Sequence, residues 1–322
     1  MEQIFKALTS LIKEYDNIII MTHKNPDFDG MGSALVLQQI IMSFKKTSYI
    51  LKNNRDKTLA KAYKYLDEKN IKTNFITKKE LLKIINKETL VIILDTHKEQ
   101  MLEENIIDKI ENIVIIDHHI KSKDYIKTNN LTYINANLSS TVEFMADYLK
   151  YLNKTIEPLL ATYMMIGLEI DTNSFKLKTT DKTYEAAAYL TRLGSDNVIK
   201  QEMLQETKDN YLKRQKIVEK SFMINKNMAM CIADNNFFKA QDLAVIALEL
   251  IQFENVEASF VVGNLSATEV GISARSIGTI DVEQIMVKLG GGGHINEAAA
   301  QLKNVSLLET KEKIIAIVGG LK

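Results

Sequence analysis

The 322 residues are more than one ordinary core accommodates, since single cores stop growing near about 250–300 residues, so two domains are expected. With 41 basic and 41 acidic side chains the formal charge is zero, which argues against the broad basic face of a duplex-binding protein and leaves room for a small nucleotide held by local contacts. The single cysteine, Cys231, excludes an intrachain disulfide and a thiolate metal cluster and points to a reducing, cytoplasmic compartment.

In chain order, residues 2–14 carry apolar side chains at Ile4, Phe5, Leu8, Leu11 and Ile12, the spacing of an amphipathic helix. The Met-Glu-Gln start has no basic segment followed by a long apolar core, so no signal peptide is expected, and a helix starting directly after Met1 suggests a free-standing protein. Short, β-branched apolar runs follow at 18–22, 48–51, 90–94 and 113–116, as in parallel strands buried on both faces; none spans a bilayer. Helical patterns near 31–45, 57–68, 79–86 and 100–110 separate them. Strands alternating with helices predict an α/β fold with a doubly wound, mainly parallel sheet.

Residues 139–193 read as helical, with Pro158 suited to a first helical turn, and the charged stretch 197–220 reads as a connecting helix. The expected organisation is a first domain over 1–195, a connecting helix or linker over 196–224, and a smaller α/β domain over 225–322. Strands are expected in the latter at 228–233, 258–264 and 269–275, and helices at 239–252, 281–288 and 306–318.

Ligands of open parallel sheets bind beyond the carboxyl ends of the strands. There the first run delivers His23, Asp27 and Asp29, the third Asp95-Thr96-His97, and the fourth Asp117-His118-His119. Each piece has an ordinary reading, because an Asp at a strand end is commonly a helix cap and a lone His a satisfied polar residue. Their joint occurrence at three strand ends carries the weight. Carboxylates with imidazoles and no thiolate suit Mn²⁺, with Mg²⁺, Co²⁺ or Fe²⁺ as substitutes, and crowded carboxylates suit a pair of cations.

Asp171 ends an apolar helical stretch and is either a further ligand or a solvent-facing helix end. In the second domain, Ser273 and Arg275 leave a strand of small residues, and Gly290-Gly291-Gly292-Gly293 runs into His294. Glycines admit a phosphate to the backbone, and guanidinium binds it bidentately.

The motifs HKNPDFDGMGS, LDTH, IDHH, SSTVE, GLEIDTNSF, ISARS and LGGGGH resemble those of DHH/DHHA1 phosphoesterases from about residue 17 to about 302. Within that family the phrasing is most similar to the catalytic module of GdpP-type cyclic-di-AMP phosphodiesterases, with the nanoRNase/pAp-phosphatase branch next. The resemblance implies a DHH domain followed by a DHHA1 domain, and a Mn-dependent hydrolase converting cyclic di-AMP to pApA and on to AMP. The alternatives are cleavage of short linear oligonucleotides and an inactive nucleotide sensor.

By motif position it implies one metal on His23, Asp27 and Asp95, and a second on Asp29, Asp95, His118 and Asp171, the two activating a hydroxide. It also implies Asp117 orienting an imidazole, His119 contacting the scissile phosphate, and Ser273, Arg275, Gly291, Gly292, Gly293 and His294 holding the substrate. A homodimer is suggested by the family alone. GdpP-type proteins carry membrane helices and sensory domains that are absent from these 322 residues.

Overall fold

The computed structural model describes residues 1–52, 59–102, 104 and 106–320, with the backbone alone at 235 and 236. The chain divides into two compact units, Met1–Gln205 and Glu206–Lys322. Among the described residues no helix is long and apolar enough to cross a membrane.

The first unit runs α1 (Glu2–Glu14), β1 (Asn17–Met21), α2 (Phe28–Ser43), β2 (Thr47–Leu51), α3 (Ala60–Glu68), β3 (Phe75–Ile76), α4 (Lys78–Ile84), β4 (Thr89–Leu94), β5 (Asn112–Asp117), β6 (Leu131–Ile134), α5 (Thr141–Leu152), α6 (Pro158–Asp171), α7 (Asp181–Arg192) and α8 (Asn197–Leu204). Its six strands pair in parallel in the order β3-β2-β1-β4-β5-β6. The order reverses between β1 and β4, and such a switch point opens a crevice at the carboxyl ends.

Strand alternation sends Ile18, Ile20, Ile92, Leu94, Val114 and Ile116 into a core shared with α2, α5 and α6. Ile19, Met21, Val91, Ile93 and Ile115 enter a smaller core on the opposite face with Leu81 of α4, Leu102 and Ile106. Both faces are therefore covered, which is why the strands read as unbroken apolar runs. The expected α/β fold with a parallel sheet is borne out.

Several local expectations are corrected. The pattern at 100–110 forms two 3₁₀ turns, Glu99–Met101 and Ile107–Lys109, instead of a helix; residues 103 and 105 lie outside the described residues. The helix expected over 57–68 occupies Ala60–Glu68, residues 57 and 58 also lying outside them. The stretch 197–220 is two helices, because Thr207 accepts the Asn210 amide at 3.2 Å and starts a new one.

The second unit runs α9 (Lys208–Val218), β7 (Phe222–Met223), β8 (Met228–Phe237), α10 (Ala240–Leu250), β9 (Ala258–Ser266), β10 (Glu269–Ser276), α11 (Val282–Val287), β11 (Gly292–Gly293), β12 (Glu297–Lys303) and α12 (Leu307–Gly319). Its sheet, ordered β11-β12-β10-β9-β8-β7, is antiparallel except between β8 and β9. Met230, Phe260, Val262 and Ile272 share one core with α11 and α12, while Cys231, Ala233 and Val261 share another with α10.

Candidate functional site

Asp27 caps α2, its Oδ1 accepting the amides of Asp29 at 2.8 Å and Gly30 at 3.2 Å. Two residues later Asp29 is fully buried, because α2 runs through the core with almost every residue enclosed. Its carboxylate is clamped by the N-terminus of α5: Oδ2 accepts Thr141 N–H at 2.9 Å and Oδ1 accepts Val142 N–H at 2.7 Å. Close helix packing makes this reach feasible, since a Cβ on Gly167 of α6 would meet the Asp29 backbone at 2.7 Å.

Asp95 leaves β4 in the left-handed region, φ 62°, a conformation Asp tolerates better than most residues. Its Oδ1 lies 3.3 Å from His118 Nε2 and its Oδ2 lies 3.3 Å from His23 Nε2, so it stands between two imidazoles. Thr141 Oγ1 donates to the same Oδ1 at 3.3 Å. His118 Nε2 also lies 3.3 Å from Asp171 Oδ2 and 3.8 Å from Asp29 Oδ2. The helix ending at Asp171 therefore places that carboxylate among the others.

Asp171 is followed by Asn173, Ser174 and Phe175, all left-handed, with φ of 46°, 56° and 62°. Such a turn is costly for side-chain-bearing residues. It is anchored by Ser174 N–H on Glu169 O at 2.7 Å and Phe175 N–H on Thr172 Oγ1 at 3.1 Å.

Among the described residues, donor atoms fall into three groups that can hold a metal ion: His23, Asp27 and Asp95; Asp29, His118 and Asp171; and Asp95, Asp117, His118 and His119. The electrostatics fit cations. Burial, reinforced by Asp95, pushes Asp29 up to about 8 and raises Asp27 as well. Burial works against charge on His23 and His118, yet hydrogen bonds to Asp95 outweigh it and lift them to about 10 and about 9. Burial likewise opposes charge on Asp95, but the bonds from His118 and His23 hold its carboxyl well below the usual range. Protons thus occupy positions that divalent cations can take, and among the described residues the ion pairs of Asp29 and Asp95 run to imidazoles. Among the described residues, Nδ1 of His118 is buried without a hydrogen-bond partner.

Asp117 is placed differently within the third group. Its Oδ1 accepts His119 Nδ1 at 2.7 Å and His119 N–H at 3.1 Å, and its Oδ2 meets His97 Nδ1. Each of its oxygens meets a different imidazole, an arrangement that orients both rings. The half-exposed His119 ring packs on His118 with centroids 4.4 Å apart.

Two contributors went unassigned in the sequence. Glu143 is buried and accepts the hydroxyls of Ser139 at 2.5 Å and Thr183 at 2.9 Å, bracing the start of α5. The SSTVE motif contained it, but its partner Thr183 lies 40 residues on. His97, quoted only within a strand-end motif, is buried beside Asp117.

In the second unit, register aligns Ser273 with Ala299 and Ala299 with Gly292 across β10, β12 and β11. Arg275 lies opposite Glu297, its Nη2 3.8 Å from that carboxylate and its Nη1 donating to Ala274 O at 2.9 Å. His294 and Glu297 close a turn, with His294 N–H donating to Glu297 O at 2.6 Å. The glycine run has a packing reason at two places: a Cβ on Gly291 would meet Ala299 O at 2.1 Å, and one on Gly293 would meet Glu297 O at 2.4 Å. A Cβ on Gly292 would meet no atom within 4 Å, so packing does not require glycine there.

Residues 17–168 match the model of the DHH family, N-terminal domain, and residues 226–320 match that of the DHHA1 domain. The cyclic-di-AMP phosphodiesterase GdpP of Bacillus subtilis is 36% identical over 320 residues, covering 96% of this chain and 48% of that protein. The bifunctional oligoribonuclease and PAP phosphatase NrnA of Mycoplasma genitalium is 26% identical over 303 residues, 91% of each chain. A solved exopolyphosphatase-related protein from Bacteroides fragilis superimposes with a TM-score of 0.81 at 17% identity, covering 98% of this chain and 96% of that one. The chain thus spans about half the length of the GdpP relative.

Proposed function

The chain belongs to the DHH family and carries a DHHA1 domain, and on that premise we propose that it is a phosphodiesterase hydrolysing cyclic di-AMP to linear pApA and on to AMP. The observation that carries the reading is the convergence of His23, Asp27, Asp29, Asp95, His118 and Asp171, with donor atoms at metal-binding separations beyond a parallel sheet. The likeness to a cyclic-di-AMP phosphodiesterase, at 36% identity over nearly the whole chain, supports the substrate.

His23, Asp27 and Asp95 would hold one divalent cation, and Asp29, Asp95, His118 and Asp171 the other. Bound there, Mn²⁺ (or Mg²⁺, Co²⁺ or Fe²⁺) would supply Lewis acidity toward the phosphoryl oxygens and the attacking water. The remaining work belongs to the chain. The α5 amides fix Asp29 so that its carboxylate need not reorganise. Asp117 holds the His119 ring by Nδ1, and from that position His119 would give a proton to the departing ribose oxygen.

In the second unit, Ser273, Arg275, Gly291, Gly292, Gly293 and His294 would take the distal phosphate and its nucleotide. Burial lowers the Arg275 guanidinium, which nonetheless stays charged at neutral pH. The buried Cys231 fits a cytoplasmic enzyme.

A second reading, cleavage of short linear oligonucleotides, is favoured by the end-to-end match with NrnA. Incubation with Mn²⁺ and either cyclic di-AMP or short RNA, followed by chromatography of the products, separates the two. Turnover of the cyclic dinucleotide is expected; cleavage of short RNA with the ring untouched would establish the second reading instead.

A further inference from the structure

We propose that His97 is a positioning residue that acts through Asp117 on His119; the inference rests on the reading of His119 given above. His97 lies two residues beyond Asp95 and is almost fully buried. Its Nε2 receives the backbone N–H of Ser122 at 3.0 Å, with Ser122 Oγ 3.1 Å from the same nitrogen. A backbone amide only donates, so Nε2 is the unprotonated nitrogen, and Nδ1 carries the hydrogen and gives it to Asp117 Oδ2.

The segment after the Asp117-His118-His119 triplet returns to fix this arrangement twice. Ser122 takes the ring and Ile126 N–H takes the His97 carbonyl at 2.8 Å. With both ring nitrogens engaged, His97 has no lone pair to offer a cation, and it belongs to none of the three donor groups.

Asp117 is thereby held from two sides, by His97 at one oxygen and by His119 at the other. Without His97 its Oδ2 would be buried and unpaired, and the group would turn to find another partner. Turning removes the acceptor that fixes the His119 ring. His97 therefore sets the geometry of a residue that it does not touch, in the manner of the third member of a relay.

The test uses the full metal-loaded chain with cyclic di-AMP, pApA and short RNA as substrates. His97→Ala is expected to lower kcat by about 10–100-fold with KM changed less than about threefold. The double variant with His119→Ala is expected to be no slower than His119→Ala alone, as for two residues in one relay. His97→Gln, whose amide can still donate to Asp117, is expected to recover part of the loss.

Independently of turnover, imidazole ¹⁵N–¹H spectra of the metal-free protein should show His97 as the Nδ1–H tautomer. They should also show a slowly exchanging His119 Nδ1–H that His97→Ala abolishes. Independent, multiplying losses in the double variant, metal content falling in His97→Ala, or an unchanged His119 signal would each overturn the proposal. A wild type that cleaves none of the substrates would refute the functional reading while leaving the spectra to decide the role of His97.

Discussion

Gly167 and Asp29 meet backbone to backbone: a Cβ on Gly167 would stand 2.7 Å from both the amide nitrogen and the Cα of Asp29. Helix α6 thereby supports Asp29 as well as ending in Asp171, so one crossing positions two carboxylates of the candidate centre.

The first prediction follows from that crossing. Gly167→Ala should destabilise the protein by about 1–3 kcal/mol through overpacking, although alanine is intrinsically the better helix residue. It should also weaken Mn²⁺ binding, because the displaced backbone carries Asp29. Gly319→Ala is the control, since a Cβ there meets no atom within 4 Å. Urea denaturation and metal titration of the two variants check both parts.

Metal uptake should release protons. With His23 at about 10, His118 at about 9 and Asp29 at about 8, all three are protonated in the metal-free protein at pH 7. All three values are raised, so protons compete with metal below them, and apparent affinity should fall as the pH is lowered from 9 to 6. Calorimetry in buffers of different ionisation enthalpy should give about two or more protons released at pH 7; zero release would refute the assignment of these residues as ligands.

Asp171→Asn keeps the shape of the side chain and removes its charge. It should leave the fold intact, because Asp171 stands at a helix end, and should lower metal affinity about 10–100-fold. Metal content after dialysis, with circular dichroism as the fold control, measures this.

Arg275→Ala tests the second unit. Loss of a guanidinium from the proposed phosphate site should raise KM for the nucleotide about tenfold or more, with a smaller change in kcat. Steady-state kinetics with the cyclic and linear dinucleotides would locate the contact: a larger effect on pApA points to a terminal phosphate.

Cys231 should be inert. It is fully buried, its Sγ donates to Ile217 O at 2.9 Å, and burial pushes its thiol up to about 11. A colourless disulfide reagent that releases a dye should react with it only once the protein is unfolded.

Much of the first unit was legible in the sequence because its strands are buried on both faces. The run 90–94 lies within Thr89–Leu94, all of it enclosed. Strand β6 was missed because all four of its residues are only half-buried, so no apolar run marks it. The 100–110 stretch carries helical spacing that serves 3₁₀ turns, with Leu102 and Ile106 filling the thinner core.

The ligand candidates were legible because strand ends deliver them one motif at a time. Their supports were not. The amides holding Asp29 lie 112 and 113 residues further along the chain, and only folding brings the two segments together. The glycine run was read for phosphate approach, yet Gly291 and Gly293 also serve the close packing of β11 on β12, which a string of letters does not distinguish.

The left-handed turn at Asn173, Ser174 and Phe175 bears on how this protein can change over generations. Substitutions there are filtered by backbone handedness before side-chain chemistry is consulted. Asparagine, aspartate and glycine fit the mirror-image twist, whereas valine, isoleucine and threonine oppose it. In a saturation library the tolerated alphabet at these three positions should therefore be narrow and nearly independent of polarity. The path of mutation beside Asp171 is restricted by the shape of the main chain, even at positions that touch no substrate.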